Sequence, residues 1–234
     1  VTGGEASGLV VIVPTRSRPA AAHELVEAFK ETCTADTELV FAIDEDDPEL
    51  RGYKGLRGLI GPNGSMVEAL NATAAEVLKR DVRPQAIGFM GDDHRPVTVG
   101  WDAAYLAALK SLPGFVYGND RVQGANLPTQ VAISTPVVAA LGHMAPPALH
   151  HLYVDNYWLT LGRNAGCITY LPRVVVQHLH PVAGTAEWDD GYRRVNAPEV
   201  YRKDRGAFEA HMREHGPEEV LAVREACAGV GGVR

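Results

Sequence analysis

The chain has 234 residues, 46% of them hydrophobic and 22% charged, and a formal charge of −7. That is ample apolar sequence for a core, so a disordered chain, a collagen-like repeat and a small disulfide scaffold are excluded, and the length suits one large domain or one domain with a small appendage. No apolar run approaches the ~20 residues of a membrane span; residues 1–8 lack the basic and apolar regions of a secretory signal, and the three cysteines are far apart in sequence, so the expectation is a cytoplasmic protein with reduced thiols.

In chain order, strand and helix patterns alternate. Leu9–Val13 is a continuous apolar run ended by Pro14 and a polar turn, as in a parallel strand buried on both faces. Residues 20–32 follow with helical spacing. Glu38–Ile43 reads as a second strand running into an acidic loop. Between Asp36 and Glu49 there are seven acids and no Lys or Arg. That segment alone accounts for the net charge, and a solvated loop is the expectation for most of it. A short third strand is expected at Leu56–Ile60, a helix over Met66–Lys79, a fourth strand at Ala86–Met90 and a helix over Trp101–Leu112. Such strand-turn-helix units predict an α/β fold with a mainly parallel sheet flanked by helices.

The second half is less regular. Phe115–Tyr117 and Gln130–Ser134 read as strands, Thr135–Leu141 and Tyr153–Leu161 as helices, and Val174–His180 as a strand. A Gly-rich polar segment and a charged helical tail, Glu199–Cys227, close the chain. The division expected is a main domain over residues 1–192 and a C-terminal helical appendage, 193–234, packed on it.

In open α/β sheets, ligands sit beyond the carboxyl ends of the strands. Three such ends are polar here: Thr15-Arg16, Asp44 with its acidic followers, and Asp92-Asp93-His94. Adjacent carboxylates at the end of a buried strand repel, and a hard divalent cation relieves the repulsion while leaving positions for substrate phosphates. The alternative is that Asp92 and Asp93 only form a turn or cap the next helix. His178 and His180 share a face at the end of a late strand and would offer an imidazole to the same ion, or are a solvated pair. Asp155 would be a helix N-cap or, with a raised pKa, a general base. Asp120, Trp158 and Trp188 are candidates for an acceptor cleft or a closing loop. The basic cluster of Arg193, Arg194, Arg202, Lys203 and Arg205 would serve an acidic partner or form a solvated helix face.

Together these residues resemble nucleotide-sugar-dependent glycosyltransferases of the GT-A fold, close to the large family 2 group. The resemblance rests on Val11-Ile12-Val13-Pro14-Thr15-Arg16, Asp44, Gly91-Asp92-Asp93, Asp155 and the late His178 or His180. It implies transfer of a sugar from a nucleoside-diphosphate sugar to an acceptor hydroxyl, by a single inverting displacement and with Mn2+ or Mg2+. Pro14, Thr15, Arg16, Asp44 and Asp92 would bind the nucleotide; Asp93 with His178 or His180 would bind the metal; Asp155 would deprotonate the acceptor, be it a saccharide, a protein or modified DNA. Two departures stand out: Asp44-Glu45-Asp46-Asp47-Pro48 replaces the usual Asp-Asp-Gly-Ser, and Gly91 stands where a DxD motif begins with an acid. A sugar-nucleotide pyrophosphorylase would need a Gly-rich loop after the first strand, which is lacking. A metal-dependent phosphoesterase or nuclease, and a non-catalytic nucleotide-sugar-binding module, are the remaining alternatives.

Overall fold

A computed structural model describes residues 8–61, 64–180, 184, 195 and 197–231. The strands are β1 (Leu9–Thr15), β2 (Thr37–Asp44), β3 (Gly58–Gly61), β4 (Ala86–Phe89), β5 (His94–Pro96), β6 (Phe115–Asn119), β7 (Val131–Ser134) and β8 (Ile168–His178). The helices are α1 (Pro19–Thr32), α2 (Met66–Leu78), α3 (Trp101–Ser111), α4 (Thr135–Leu141), α5 (Val154–Ala165), α6 (Pro198–Glu214) and α7 (Gly216–Gly231).

The strands form one sheet in the order β3-β2-β1-β4-β7-β6-β8-β5. The first four are mutually parallel, β7 is antiparallel to both β4 and β6, β6 and β8 are parallel, and β5 runs against β8. The mainly parallel, helix-flanked sheet expected from the sequence is therefore present.

β1 shows why its sequence reads as a continuous apolar run. Successive side chains leave opposite faces of the sheet, and both faces are covered. Val10 and Ile12 enter a core shared with α2, α4, α5 and α7. Leu9, Val11 and Val13 enter the opposite core, against α1 and α3. The result is three layers, helix on sheet on helix.

Three features differ from the expectation. β5 has only three residues and no pattern of its own; its pairing with β8 creates it. β8 begins at Ile168, well before the expected Val174, and runs through Pro172. Proline breaks a ladder, but here the register jumps from Gly118↔Leu171 to Asn119↔Val175, so Pro172 lies in a bulge. The charged tail is two helices, interrupted at His215; Pro217 lacks an N–H and so suits the first turn of a new helix.

α6 and α7 pack on the core through Phe208, Met212, Val220 and fully buried Val223. Cys167 and Cys227, distant in sequence, are brought into contact by α7, and all three cysteines are free thiols. Arg202 and Arg205 make exposed ion pairs with Glu199 and Glu209, as a solvated helix face does, while Arg193 and Arg194 lie outside the described residues. Asp204 on α6 is fully buried and accepts the backbone N–H groups of His150 (3.1 Å), His151 (2.8 Å) and Leu152 (2.7 Å). Those residues lead into α5, so the appendage fixes the entry to that helix. Asp204→Ala strands three partly buried donors and is expected to cost about 2–4 kcal/mol of stability. Chemical denaturation measures this, with loop 150–152 losing hydrogen-exchange protection first.

Candidate active site

The carboxyl ends of β1, β2 and β4 open on one side of the sheet, because the three strands are parallel neighbours. Thr15, at the end of β1, is buried and donates its hydroxyl to Asp92 Oδ2 at 2.7 Å. Arg18 Nη1 lies 3.4 Å from Asp92 Oδ1. Arg16 Nη1 is 2.5 Å from both Asp44 Oδ2 and Asp46 Oδ1. Asp47, also buried, accepts the N–H of Ser17 at 2.8 Å, and Ser17 holds a left-handed φ of 58°. Two members of the acidic loop thus have structural partners where solvation was expected. Asp46 shares Arg16 with Asp44, and Asp47 holds the β1–α1 turn.

Asp92 and Asp93 face different partners. Burial pushes the Asp92 carboxyl up to about 6, and the neighbouring Asp93 charge adds to the shift. Burial opposes ionisation of Asp93 too, but His178 and His94 hold its carboxyl well below the usual range. Asp93 Oδ1 is 3.2 Å from His94 Nδ1, and Oδ2 is 3.3 Å from His178 Nε2. Cross-strand register explains the trio, since His94 pairs directly with His178 and their rings stack with centroids 4.3 Å apart. Arg95 secures the turn by donating to the carbonyls of Asp92 and His94, both at 2.7 Å, and to Glu24 on α1. Neither aspartate is the N-cap of the following helix, which is Gly100.

Asp93, His94 and His178 offer ligand atoms within 4.8 Å of one another. His94 was not among the expected ligands. Its Nδ1 lies 3.0 Å from the Gly91 N and 3.2 Å from Asp93 Oδ1, and its buried Nε2 has no partner, so Nδ1 already faces two neighbours. Asp93 and His178 supply the carboxylate and the second imidazole of the trio. His180 lies beyond the end of β8, T-stacked on His178 at 5.1 Å and outside the trio. One carboxylate and one imidazole, beside a second carboxylate, fit Mn2+ or Mg2+ with open positions for phosphate oxygens.

Gly91 also finds its explanation here. A Cβ at this position would stand 2.5 Å from Asp93 Oδ1 and 3.1 Å from His94 Nδ1. A side chain at the first position of the motif would require the Asp93 carboxylate to move.

Asp155 is the second residue of α5, and the N-cap is Tyr153, with φ 66° and no side-chain cap bond. The capping alternative is therefore excluded. Its Oδ1 accepts the adjacent Asn156 N–H at 2.8 Å. Burial pushes its carboxyl up to about 6, and the nearby His178 charge acts against that shift.

Two expected acceptor residues are corrected. Trp158 is fully buried, donates Nε1–H to the Met144 carbonyl at 2.7 Å and packs on Phe89; it is core. Asp120 is 1% exposed, and its carboxylate is consumed by the N–H groups of Val122, Gln123 and Gly124 and by the Thr129 hydroxyl. It shapes its own loop. Trp188 lies outside the described residues.

The sequence matches no protein-family model and no curated protein. Solved structures are similar in fold. A Pyrobaculum calidifontis mannosyltransferase in complex with GDP-Man and Mn2+ aligns over 99% of this chain and 77% of its own, at 15% identity and a TM-score of 0.59. Glucosyl-3-phosphoglycerate synthase from Mycobacterium tuberculosis, with Mn2+, UDP and phosphoglyceric acid, aligns over 86% and 78%, at 13% identity and 0.59. S. aureus TarS (residues 1–349) aligns over 95% and 82%, at 12% identity and 0.55. The GT-A fold expected from the sequence is the fold found.

Gly91→Ala is expected to displace the Asp93 carboxylate while leaving the buried sheet intact. Divalent-cation affinity, read by calorimetry, then falls by about 10–100-fold with little change in melting temperature. An unchanged affinity would contradict the tight placement.

Proposed function

We propose that the chain is a metal-dependent glycosyltransferase that moves a sugar from a nucleoside-diphosphate sugar to an acceptor hydroxyl, inverting the anomeric centre. One observation carries the reading: the Asp93–His178 pair and Asp155, a carboxyl with a raised pKa, meet at the carboxyl end of a GT-A sheet. The similar structures whose names include GDP-Man, UDP, Mn2+ or Mg2+ support the same assignment of class.

In this reading Pro14, Thr15, Arg16 and Asp44 border the nucleoside. Asp92, held by Thr15 and Arg18, faces the ribose side. Asp93 and His178 would hold Mn2+ or Mg2+, which stabilises negative charge developing on a departing diphosphate. Asp155 takes the proton of the acceptor hydroxyl. Its low-polarity setting brings its pKa close to working pH, where a base combines sufficient ionisation with sufficient basicity. A two-metal phosphoesterase is disfavoured, because the metal-type cluster of this crevice contains just Asp93, His94 and His178 among the described residues. We place the protein in the cytoplasm on its free cysteines; no helix among the described residues is long and apolar enough to cross a membrane.

Calorimetry with UDP and GDP is expected to show binding that needs Mn2+ or Mg2+, is abolished by chelator and is weakened by about 10–100-fold or more in Asp93→Ala. Metal-independent binding that survives in that variant would overturn the assignment.

Asp155→Asn is expected to keep donor affinity and lose transfer by about 10²–10⁴-fold. The sign of the pH effect follows from the raised pKa. The wild-type base is protonated as pH falls through about 6, so kcat declines there, about two units above an ordinary aspartate. For the same reason stability falls as pH rises from about 4 to about 6 and stays lower above that, so Asp155→Asn is expected to raise the melting temperature at pH 7. A variant with full transfer would place the base elsewhere, and one that melts lower would contradict the raised pKa.

A further inference from the structure

A second cluster with metal-ligand chemistry lies away from the crevice, where the two C-terminal helices meet the core. It comprises His143, just after α4, His211 in the last turn of α6, and Glu219 in the first turn of α7. The three side chains are only 14%, 10% and 12% exposed. Each of the three comes from a different element.

The geometry converges on one point. Glu219 Oε1 lies 2.9 Å from His211 Nε2 and 3.4 Å from His143 Nε2. All three ligand atoms fall within 4.8 Å of one another. A tetrahedral ion bound at about 2.0–2.1 Å separates its donors by about 3.3 Å, a value between the two measured contacts. The other carboxylate oxygen, Glu219 Oε2, is buried and has no hydrogen-bond partner. A buried, unpartnered carboxylate oxygen costs free energy, and a cation is one means of recovering it. The Tyr157 hydroxyl on α5 lies 3.0 Å from the same His143 Nε2, and it would yield that nitrogen's lone pair to a bound ion.

We propose that His143, His211 and Glu219 form a Zn2+ site that fastens α6 and α7 to the catalytic core. Two imidazoles and one carboxylate are a zinc donor set, with the fourth tetrahedral position left to water. The set differs from that of the crevice, where adjoining carboxylates and a braced imidazole suit harder ions. The site also bears on the catalytic helix. α6 carries Asp204, which holds the loop before α5, so zinc at this junction stiffens the support of Asp155. The rival account is a metal-free hydrogen-bonded trio, with Glu219 bridging two histidines.

The test uses the full chain, stripped with chelator and returned to Zn2+ alone. Asp93→Asn serves as the background, since it disables the crevice site. In that background a single Zn2+ per chain is expected to survive desalting and to raise the melting temperature. His211→Gln or Glu219→Gln is expected to lose that ion, with circular dichroism confirming a folded chain. Should those variants fail to fold, Co2+ added to Asp93→Asn gives the same information: an intense visible absorption of tetrahedral character, bleached by Zn2+. If Asp93→Asn takes up neither Zn2+ nor Co2+, the trio is a hydrogen-bonded network and the proposal fails. It fails equally if Glu219→Gln keeps the ion. Neither failure touches the glycosyltransferase reading, which rests on Asp93, His178 and Asp155.

Discussion

Two neighbouring carboxylates at the end of a buried strand cannot be treated alike by their surroundings. Mutual repulsion and desolvation both oppose double ionisation. The fold separates them. Asp92 turns to the β1 side, where Thr15 and Arg18 meet it, and its carboxyl rises to about 6. Asp93 turns to the β8 side, between two histidines, and stays ionised. Much of the local architecture serves that separation. β5 is three residues long, yet it sets His94 opposite His178. Arg95 pins the same turn to α1. Gly91 keeps its side of Asp93 clear.

How much of this was legible in the sequence depended on range. β1, β2, α1 and α2 write their structure locally. Continuous apolar runs mean burial on both faces, and Ser65, whose hydroxyl accepts the Glu68 N–H, marks a helix start. The Asp92-Asp93 pair was visible because like charges at a strand end need an explanation. His94 was harder. Its role comes from antiparallel register with a residue more than eighty positions away, and register across such a distance has no local signature. Pro172 misled for a related reason, since a proline inside a strand is tolerated where the ladder changes register, and the change is set by β6.

Trp158 and Asp120 illustrate the opposite error. Aromatic and acidic side chains near a cleft suggest ligand contact, but their partners lie elsewhere in the chain. The indole N–H of Trp158 is answered by a carbonyl fourteen residues away, and its ring fills the core. The Asp120 carboxylate closes its own turn with three backbone N–H groups. A buried polar group is hydrogen-bonded far more often than it is catalytic. Asp155 is the informative exception, with few internal partners and a raised pKa. The acidic loop belongs to the same lesson. Its excess negative charge looked solvated, yet Asp44 and Asp46 share one guanidinium and Asp47 holds a left-handed serine.

The C-terminal helices change how the site is understood. By sequence they are a charged tail, and a tail can be dispensable. In the structure Asp204 enters the core fully buried and answers three consecutive N–H groups in the loop that starts α5. Burying a carboxylate is costly unless it is well bonded, and three charge-assisted bonds meet that condition. The loop in turn sets the first turn of α5, with Asp155 at its second position. A catalytic base must be held to within a fraction of an ångström of its acceptor, and a loop end alone does not supply such rigidity. The precision of the proposed base therefore rests on a helix about fifty residues downstream, one that meets α7 and the core through the His211–Glu219 and His143–Glu219 contacts.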